Sequence, residues 1–461
     1  MKGKVIWMQK ASTLQECVST LDIGALNGDN FDVFYTEFQN RYRTDIVKKI
    51  NYKLKAFDSL GTKKIYSKFI LAGHRGVGKS TELVRVSKLC TGYESIFIDA
   101  DEASGPENTG YTNLLILIAD QIMKYGINNG YLTQDDEAFD GLLHYWDSEV
   151  EISSLQKKYE EKGEELELAG GIAGKVESKF GLLNTLKAIL SVDASVNGKA
   201  TSNSVRTNNV DEIIHTVIHK NDELFVVPLN HMINRLQEKM GNKRLLLIIE
   251  ELDKVGQFEL VEELFGHHIK AFTNIECDII FTYPIHLLYD PGYMHVRDSV
   301  SDIFTLGVIE ILGDDGCYIQ EALNAFKELV YKRIDAQLIE DDALEKAIKM
   351  SGGLIRDAFT VISEAAMNAD IDGADKITMS YILDAIKPLE DKYSKLINIH
   401  DGFNKVAQIV GKPYLQIDDE LRELLRAEVV LEYSESRYFV HPAAIKFLKK
   451  INANVKEYGD K

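Results

Sequence analysis

Several features that mark secreted, cross-linked or membrane-bound proteins are missing from this chain of 461 residues. It has only four cysteines, Cys17, Cys90, Cys277 and Cys317, and no CxxC pair. This scarcity argues against a disulfide framework and against a zinc knuckle. No apolar run approaches the ~20 residues that span a bilayer, and the N-terminus lacks the apolar core of a signal peptide. We therefore expect a cytoplasmic protein that has no membrane partner.

The chain also lacks an excess of positive charge. It has 53 Lys and Arg against 72 Asp and Glu, which gives a formal net charge of -19. Non-specific binding to nucleic acid depends on Lys and Arg that neutralise phosphates. The charge balance therefore does not indicate a nucleic-acid partner, although it leaves room for a local basic face. The length predicts two to four domains, at about 100–200 residues each.

Five short β-type runs alternate with long helical patterns. The first four are continuous apolar runs, which are typical of strands buried on both faces of a parallel sheet. Strands that alternate with helices predict an α/β fold with right-handed crossovers. The five runs are "KFILAG" ending at Gly73, "SIFIDAD" (95–101), "RLLLIIEE" (244–251), "CDIIFTY" (277–283) and "DIFTLGVIEI" (302–311).

The periodicity of the remaining chain predicts four parts. We expect a helical segment over 1–60, an α/β core over 61–311, a helical lid over 312–400 and a winged-helix domain over 401–461, where a helix, a hairpin and a helix follow one another. Residues 148–210 form an insertion in the core that starts charged and becomes rich in Gly, Ala, Ser and Asn. A surface excursion explains it better than an arm that contacts a partner or membrane through "GLLNTLKAIL".

The stretch "GHRGVGKST" (73–81) matches the Walker A pattern and follows a strand. Glycines let the backbone N–H groups turn towards phosphate oxygens, and the helix that follows presents its positive N-terminal end to the anion. Lys79 is expected to reach the β- and γ-phosphates, Ser80 to ligate Mg²⁺ and Thr81 to lie near the α-phosphate. The nine residues predicted to bind the nucleotide are Gly73, His74, Arg75, Gly76, Val77, Gly78, Lys79, Ser80 and Thr81.

The predicted cofactors are ATP and Mg²⁺. Guanine-specific P-loop proteins usually carry an NKxD segment, and "GNKRLL" (241–246) has no Asp at the required place. A chance glycine-rich turn is the alternative to a phosphate site, but the flanking strand and helix favour phosphate binding.

Acidic residues follow the apolar strand "RLLLII". We expect Glu250 to hold the magnesium ion and Glu251 to polarise the attacking water. The alternative is a solvated acidic turn at the end of a strand. Because Asp is usual at the metal position, the longer Glu250 indicates slow hydrolysis or a site that mainly binds.

Three more polar residues are candidates for catalysis. Thr282 follows the next strand and is predicted to sense the γ-phosphate or align the water, although a hydroxyl that caps a turn explains it nearly as well. Arg356 follows a Gly-Gly turn and is predicted to reach the γ-phosphate from a lid. Arg297 is a candidate arginine finger that reaches a neighbour's nucleotide; a surface salt bridge explains it almost equally well.

In this order, "GHRGVGKSTEL", "LLLIIEELDKV", "IIFTYP", "SGGLIRDAF" and the terminal winged helix resemble an AAA+ ATPase of the origin-recognition and STAND-like group. Bacterial members often carry "GHRGxGKSTEL" and end in a "vleY…vHP" winged helix. The resemblance implies a P-loop NTPase three-layer sandwich with sheet order 5-1-4-3-2, a helical lid, and ATP between two subunits of a homo-oligomer. Related bacterial ATPases often serve in phage defence, where a partner protein supplies the effector chemistry.

Three functions remain open at the level of sequence. The first is an ATP-hydrolysing switch that acts on a protein or nucleic-acid partner. The second is a DNA-binding regulator that uses the winged helix, but residues 411–461 contain nine Lys/Arg and nine Asp/Glu, which is no basic footprint. The third is a nucleotide-dependent scaffold without turnover.

Overall fold

The structure is a computed structural model. The predicted insertion at 148–210 lies outside the residues that it describes. No helix of the described residues combines the length and the apolar character that a membrane span requires. The structure describes residues 9–21, 24–26, 28–38, 42–58, 65–103, 111–133, 136–145, 222–254, 258–399, 402–433, 436–451, 455, 458 and 459.

A five-stranded sheet forms the centre of the chain. All neighbouring strands are parallel, and their spatial order is β2-β3-β4-β1-β5. This order confirms the predicted 5-1-4-3-2 arrangement. The strands are β1 (Lys68–Gly73), β2 (Tyr93–Asp99), β3 (Arg244–Glu250), β4 (Asp278–Pro284) and β5 (Asp302–Thr305).

The strands differ from the sequence prediction at the two edges of the sheet. Strands β1 and β4 are buried throughout, but β2 pairs only with β3 and exposes 37% of Phe97. The prediction that β2 is buried on both faces is therefore wrong, because an edge strand is covered less than a central one. Strand β5 ends at Thr305 rather than at 311.

Helices cover both faces of the sheet and make a three-layer sandwich. Alternate residues of a strand point to opposite faces, so that Phe69 and Leu71 join one apolar core while Ile70 and Ala72 join the other. The helices up to the end of the sheet are α1 (Leu14–Thr20), α2 (Gly28–Phe34), α3 (Ile46–Asp58), α4 (Lys79–Leu89), α5 (Tyr111–Asn128), α6 (Asp140–Tyr145), α7 (Asp222–Met240), α8 (Phe258–Gly266), α9 (Ile269–Thr273) and α10 (Tyr293–Ser299).

The N-terminal segment is helical only in part. Helix α1 begins after Thr13, whose hydroxyl accepts a hydrogen bond from the N–H of Glu16 at 3.2 Å, as an N-cap does. Residues 35–38 run without helical structure between α2 and α3. The apolar spacing that predicted a helical segment therefore belongs to separate helices. Helices α1 and α3 pack on the same core as the helices that follow the sheet, whereas Phe31 and Phe34 of α2 form a separate small cluster with Leu26.

Helices dominate the chain after the sheet. The first group is α11 (Gln320–Tyr331), α12 (Asp341–Met350), α13 (Ile355–Ile371) and α14 (Met379–Ile399). The group that follows, which we call the C-terminal unit, is α15 (Phe403–Ile409), α16 (Asp419–Arg426), β6 (Val430–Glu432), β7 (Tyr438–Val440) and α17 (Pro442–Ile451). Strands β6 and β7 form an antiparallel hairpin. All of these elements share one continuous apolar core with one face of the sheet.

Candidate functional site

The loop between β1 and α4 has the backbone that an anion site requires. Gly76 and Gly78 have φ values of +76° and +96°, in the left-handed region that glycine adopts without a steric penalty. Gly78 directly precedes α4, so the loop leads into the positive end of a helix. We call residues 73–81 the P-loop.

Lys79 lies in the P-loop as a buried cation. Its side-chain ammonium donates to the carbonyl oxygens of Gly73 at 2.9 Å and His74 at 2.8 Å. It also pairs with Asp253 Oδ2 at 2.7 Å, on the turn that follows β3. Lys79 thus joins the P-loop to the acidic end of β3.

Glu250 ends β3 and meets Ser80, whose hydroxyl donates to the carboxylate. Burial, followed by the charges of Glu251, Asp99 and Asp253, raises the pKa of Glu250 to about 7, against the lowering effect of the Ser80 bond. Glu250 Oε1 is buried and has no hydrogen-bond partner among the described residues. A hydroxyl and a carboxylate are the oxygen ligands that Mg²⁺ prefers, so this pair fits the predicted metal.

Glu251 adopts an unusual backbone conformation. Its φ is +66°, which costs a non-glycine residue about 1–2 kcal/mol. The side chain lines the cleft beside the P-loop, is 37% exposed, and lies 3.6 Å from the Lys254 ammonium. Strain of this kind is found at functional sites where the surrounding structure fixes the residue.

The Thr282 side chain forms hydrogen bonds with the backbone of the turn that contains the acidic residues. Its hydroxyl donates to the carbonyl of Ile249 at 3.4 Å and accepts from the N–H of Leu252 at 3.2 Å. The side chain is buried, and both bonds are to backbone atoms. This geometry favours the structural alternative, in which Thr282 holds β4 against the end of β3; contact with the γ-phosphate stays a prediction.

The two candidate arginines lie in different places. Arg356, in the first turn of α13, lines the cleft and donates its backbone N–H to the Gly76 carbonyl at 3.3 Å. Its Nε is buried and has no hydrogen-bond partner in the described part of the chain. Arg297 lies exposed on α10 and does not line this cleft. The structure therefore brings only Arg356 to the P-loop of its own chain.

Arg43 is a site residue that the sequence analysis missed. It is 6% exposed, its Nη2 donates to the carbonyl of Val77, and burial lowers its pKa, against the opposing effects of Glu82 and Tyr35. No motif marks it, and 34 residues separate it from Val77. The same segment supplies part of an apolar wall to the cleft, which is lined by Leu26, Phe34, Phe38, Leu329 and Phe359.

The His74 side chain faces away from the cleft and towards the C-terminal unit. Its Nε2 accepts a hydrogen bond from the N–H of Glu432, on β6, at 2.8 Å. Burial, assisted by the charge of Lys79, lowers the pKa of His74 to about 3. The ring is therefore neutral at physiological pH and carries its proton on Nδ1. Among the nine predicted nucleotide-binding residues, Val77 is also turned inward, into the apolar core.

Comparisons with known proteins give remote similarities only. No protein-family model matches the chain, and no curated protein matches it. The Aeropyrum pernix ORC2 protein is 12% identical with a TM-score of 0.40, over 92% of this chain and 96% of its own. Cdc6p from Pyrobaculum aerophilum is 10% identical, with a TM-score of 0.39, over 94% and 100%. The Thermotoga maritima RuvB branch migration motor is 15% identical, with a TM-score of 0.36, over 90% and 98%.

A parallel sheet of order 5-1-4-3-2, covered by helices on both faces, has the P-loop after β1 and acidic residues at the end of β3. This is the AAA+ type of P-loop NTPase fold, and a helical region follows it.

A substitution in the P-loop tests the contact between the loop and α13. In Gly76→Ala, the added Cβ would lie 2.6 Å from Arg356 Cβ, so α13 must move. We expect ATP affinity to fall roughly 10-fold or more, because small misplacements in such sites have large effects. Gly130→Ala is the matched control, since its φ is +71° and nothing lies within 4 Å of the added Cβ.

Equilibrium binding and thermal unfolding of both variants separate the two effects. Both are expected to lose about 1 kcal/mol of stability from the left-handed φ, but only Gly76→Ala should lose ATP affinity. Equal ATP affinity in the two variants would contradict the proposed contact.

Proposed function

We propose that this chain is an ATP-binding and ATP-hydrolysing switch that requires Mg²⁺ and uses nucleotide-driven conformational change to act on a partner. The observation that carries the proposal is the convergence of Lys79, the Ser80–Glu250 pair and Glu251 at one P-loop. A buried cation, a pair of oxygen ligands and a carboxylate aimed into the same cleft form the set that phosphoryl transfer to water requires.

Each residue has a separate task in this proposal. Bound Mg²⁺ would neutralise charge on the β- and γ-phosphates, and Ser80 and Glu250 would hold it. Lys79 contacts the phosphates from the base of the loop, and Glu251 accepts a proton from the attacking water. Arg356 stabilises charge on the γ-phosphate from the side of α13.

The cleft also supports the choice of a purine base. Its wall combines aromatic and aliphatic side chains from the N-terminal segment with those of α11 and α13, namely Phe34, Phe38, Leu329 and Phe359. Planar apolar surfaces of this kind suit a base. We propose that adenine packs here while Arg43 stabilises the P-loop from behind.

The link from the nucleotide to a partner runs through the C-terminal unit. Hydrogen bonds connect the P-loop to segments that follow the sheet, His74 with Glu432 and Gly76 with Arg356. Any change in the P-loop on hydrolysis therefore reaches the hairpin and α13 directly. We propose that a homo-oligomer places Arg297 at a neighbour's nucleotide and that an effector protein binds the assembly. Service in bacterial anti-phage defence stays a prediction.

The alternative of a DNA-binding regulator has less support. If the C-terminal unit is a winged helix, α16 is the helix that would read DNA. This helix packs against residues 285–289 of the core, and Arg422 pairs with Asp290 at 3.4 Å. Its exposed positions include the acidic side chains of Asp419 and Glu423. An acidic and partly covered helix does not suit phosphate contacts.

Measurement of ATP cleavage against Mg²⁺ concentration tests the proposal. We expect cleavage that depends on Mg²⁺ and does not require DNA. Because the pKa of Glu250 is raised to about 7, Mg²⁺ must displace a proton from it at lower pH. Apparent Mg²⁺ affinity should then fall about 10-fold for each pH unit below 7.

Glu250→Gln is the control for this pH dependence, since it cannot titrate. Any pH dependence of the Mg²⁺ affinity that the variant retains is due to titration of the nucleotide. The difference in pH dependence between the wild type and the variant is due to Glu250. Tight ATP binding without cleavage in the wild-type protein would instead support the scaffold.

A further inference from the structure

A second cavity adjoins the nucleotide cleft. It lies between the start of the P-loop, the residues that follow β4, helix α14 and the C-terminal unit. Arg75, Asp253 and Arg356 line both cavities. The two spaces are therefore neighbours that share a wall, and this wall includes Asp253, the partner of the Lys79 ammonium.

The side chains that line this second cavity are unusually basic for a chain with a net charge of -19. Asp253 and Glu428 are its only carboxylates among the described residues, and Asp253 already pairs with Lys79. His286 also lines it, and because burial lowers the pKa of this side chain to about 4, the ring is neutral. The cationic side chains in the lining are Arg75, Lys254, Arg356, Lys392 and Arg426.

One of these cations, Arg356, is incompletely satisfied within the described residues, because its Nε is buried without a hydrogen-bond partner there. Lys392 donates to the Tyr393 hydroxyl at 3.5 Å, lies 3.9 Å from Asp357 and 3.8 Å from Glu428, and keeps 44% of its side chain exposed. Glu428 itself has a φ of +60° and a buried Oε1 that no described residue contacts by a hydrogen bond. Glu428 Oε1 is an acceptor when the carboxyl group is ionised, although burial raises the pKa of this group. The unpartnered Arg356 Nε–H is a donor, and buried polar atoms normally have partners, so this cavity has unused capacity for a ligand that accepts hydrogen bonds.

We propose that this second cavity is an oxyanion site that receives inorganic phosphate, and that the phosphate released from ATP passes into it. This inference rests on the proposed function. Hydrolysis transfers the γ-phosphoryl group to water and yields ADP and inorganic phosphate, which is a small dianion or monoanion. In the proposed binding mode the γ-phosphate would contact Lys79. The Lys79 ammonium lies against Gly73, His74 and Asp253, and these three residues also line the second cavity.

A pair of variants tests the site directly. Lys392→Gln/Arg426→Gln removes two cations from the cavity, neither of which belongs to the catalytic machinery. Lys387→Gln/Lys395→Gln removes the same charge from exposed positions of α14, where each lysine pairs, among the described residues, only with a nearby aspartate on its own helix. Equilibrium dialysis of ADP-loaded full-length protein against radiolabelled inorganic phosphate measures uptake.

We expect the wild type and the control to take up phosphate with equal affinity. The cavity variant should bind it roughly 10-fold more weakly, because charge-assisted hydrogen bonds are the strong ones. Equal affinity in all three proteins, or no uptake by the wild type, would overturn the proposal. Thermal unfolding shows whether each variant is folded.

A single-turnover experiment identifies the source of the phosphate. Acid quenching measures phosphate formed, and a fluorescent phosphate-binding reporter measures phosphate released. If the product enters the cavity, release lags formation in the wild type and the control, and the lag shortens in the cavity variant while formation is unchanged. If the lag between formation and release is equal in all three proteins, the released phosphate does not pass through the cavity. The cavity would then be a site only for phosphate from solution. If no ATP is cleaved, the proposed function fails, and dialysis still tests the site.

Discussion

Lys79→Ala is expected to abolish useful ATP binding. The ammonium group is buried in the P-loop and pairs with Asp253 at 2.7 Å, while the carbonyls of Gly73 and His74 accept its other hydrogen bonds. In the ATP complex this ammonium would form a buried, hydrogen-bonded charge pair with the phosphates, and truncation of one partner in such a pair costs about 2–5 kcal/mol. The dissociation constant for ATP should therefore rise roughly 30- to 4000-fold, as measured by calorimetry or equilibrium dialysis.

Lys88→Ala is the control for this variant. Lys88 lies in the last turn of the same helix, α4, and pairs with exposed Asp32 at 3.0 Å. Its loss should leave ATP affinity within about 2-fold of wild type, since exposed ion pairs contribute little. Wild-type affinity in a folded Lys79→Ala protein would remove the basis for a phosphate site.

Glu251→Gln is expected to separate ATP binding from ATP cleavage. The amide has the shape of the carboxylate but cannot accept a proton from water at neutral pH. Loss of general-base catalysis reduces rates by about 10²–10⁴-fold, so cleavage should fall by that factor while ATP remains bound. Rapid-quench measurement of cleavage, together with equilibrium binding of ATP, gives the two quantities.

Asp101→Asn is the matched control for Glu251→Gln. Both carboxylates contact the ammonium of Lys254, Asp101 at 2.7 Å and Glu251 at 3.6 Å. If Glu251 acts only through the charge on Lys254, the two variants should lose similar activity. If it acts on water, Asp101→Asn should cleave ATP at close to the wild-type rate. Equal losses in both variants would show that Glu251 is not the base.

The parts of the site that lie close together in sequence could be predicted. The glycines of the P-loop, the strand before it and the helix after it form one local pattern, and the acidic residues directly follow an apolar strand. The order of the strands was predicted from the resemblance of these motifs to those of AAA+ ATPases. Arg356 was marked by the Gly-Gly turn before it, and the structure places it against Gly76.

The contacts that join distant segments could not be predicted. An arginine in a helical-looking stretch gives no signal that it will bond to Val77, and Glu432 is 358 residues away from His74. A threonine at the end of a strand, such as Thr282, gives the same sequence pattern whether its hydroxyl contacts a nucleotide or the backbone. The position of β2 at the edge of the sheet could not be predicted either, because its apolar run resembles that of a central strand.

The hydrogen bond between His74 and Glu432 has a consequence for how the protein can be divided. Arg43, which precedes the sheet in sequence, donates a hydrogen bond to Val77 of the P-loop. Strand β6, which follows the sheet, donates one to His74 of the P-loop. The sheet and the P-loop are thus not a free-standing module, because segments before and after the sheet in sequence both contact the loop. A fragment trimmed to the sheet and its helices would keep the P-loop and the acidic residues after β3 but lose the contacts of the P-loop with Arg43 and β6.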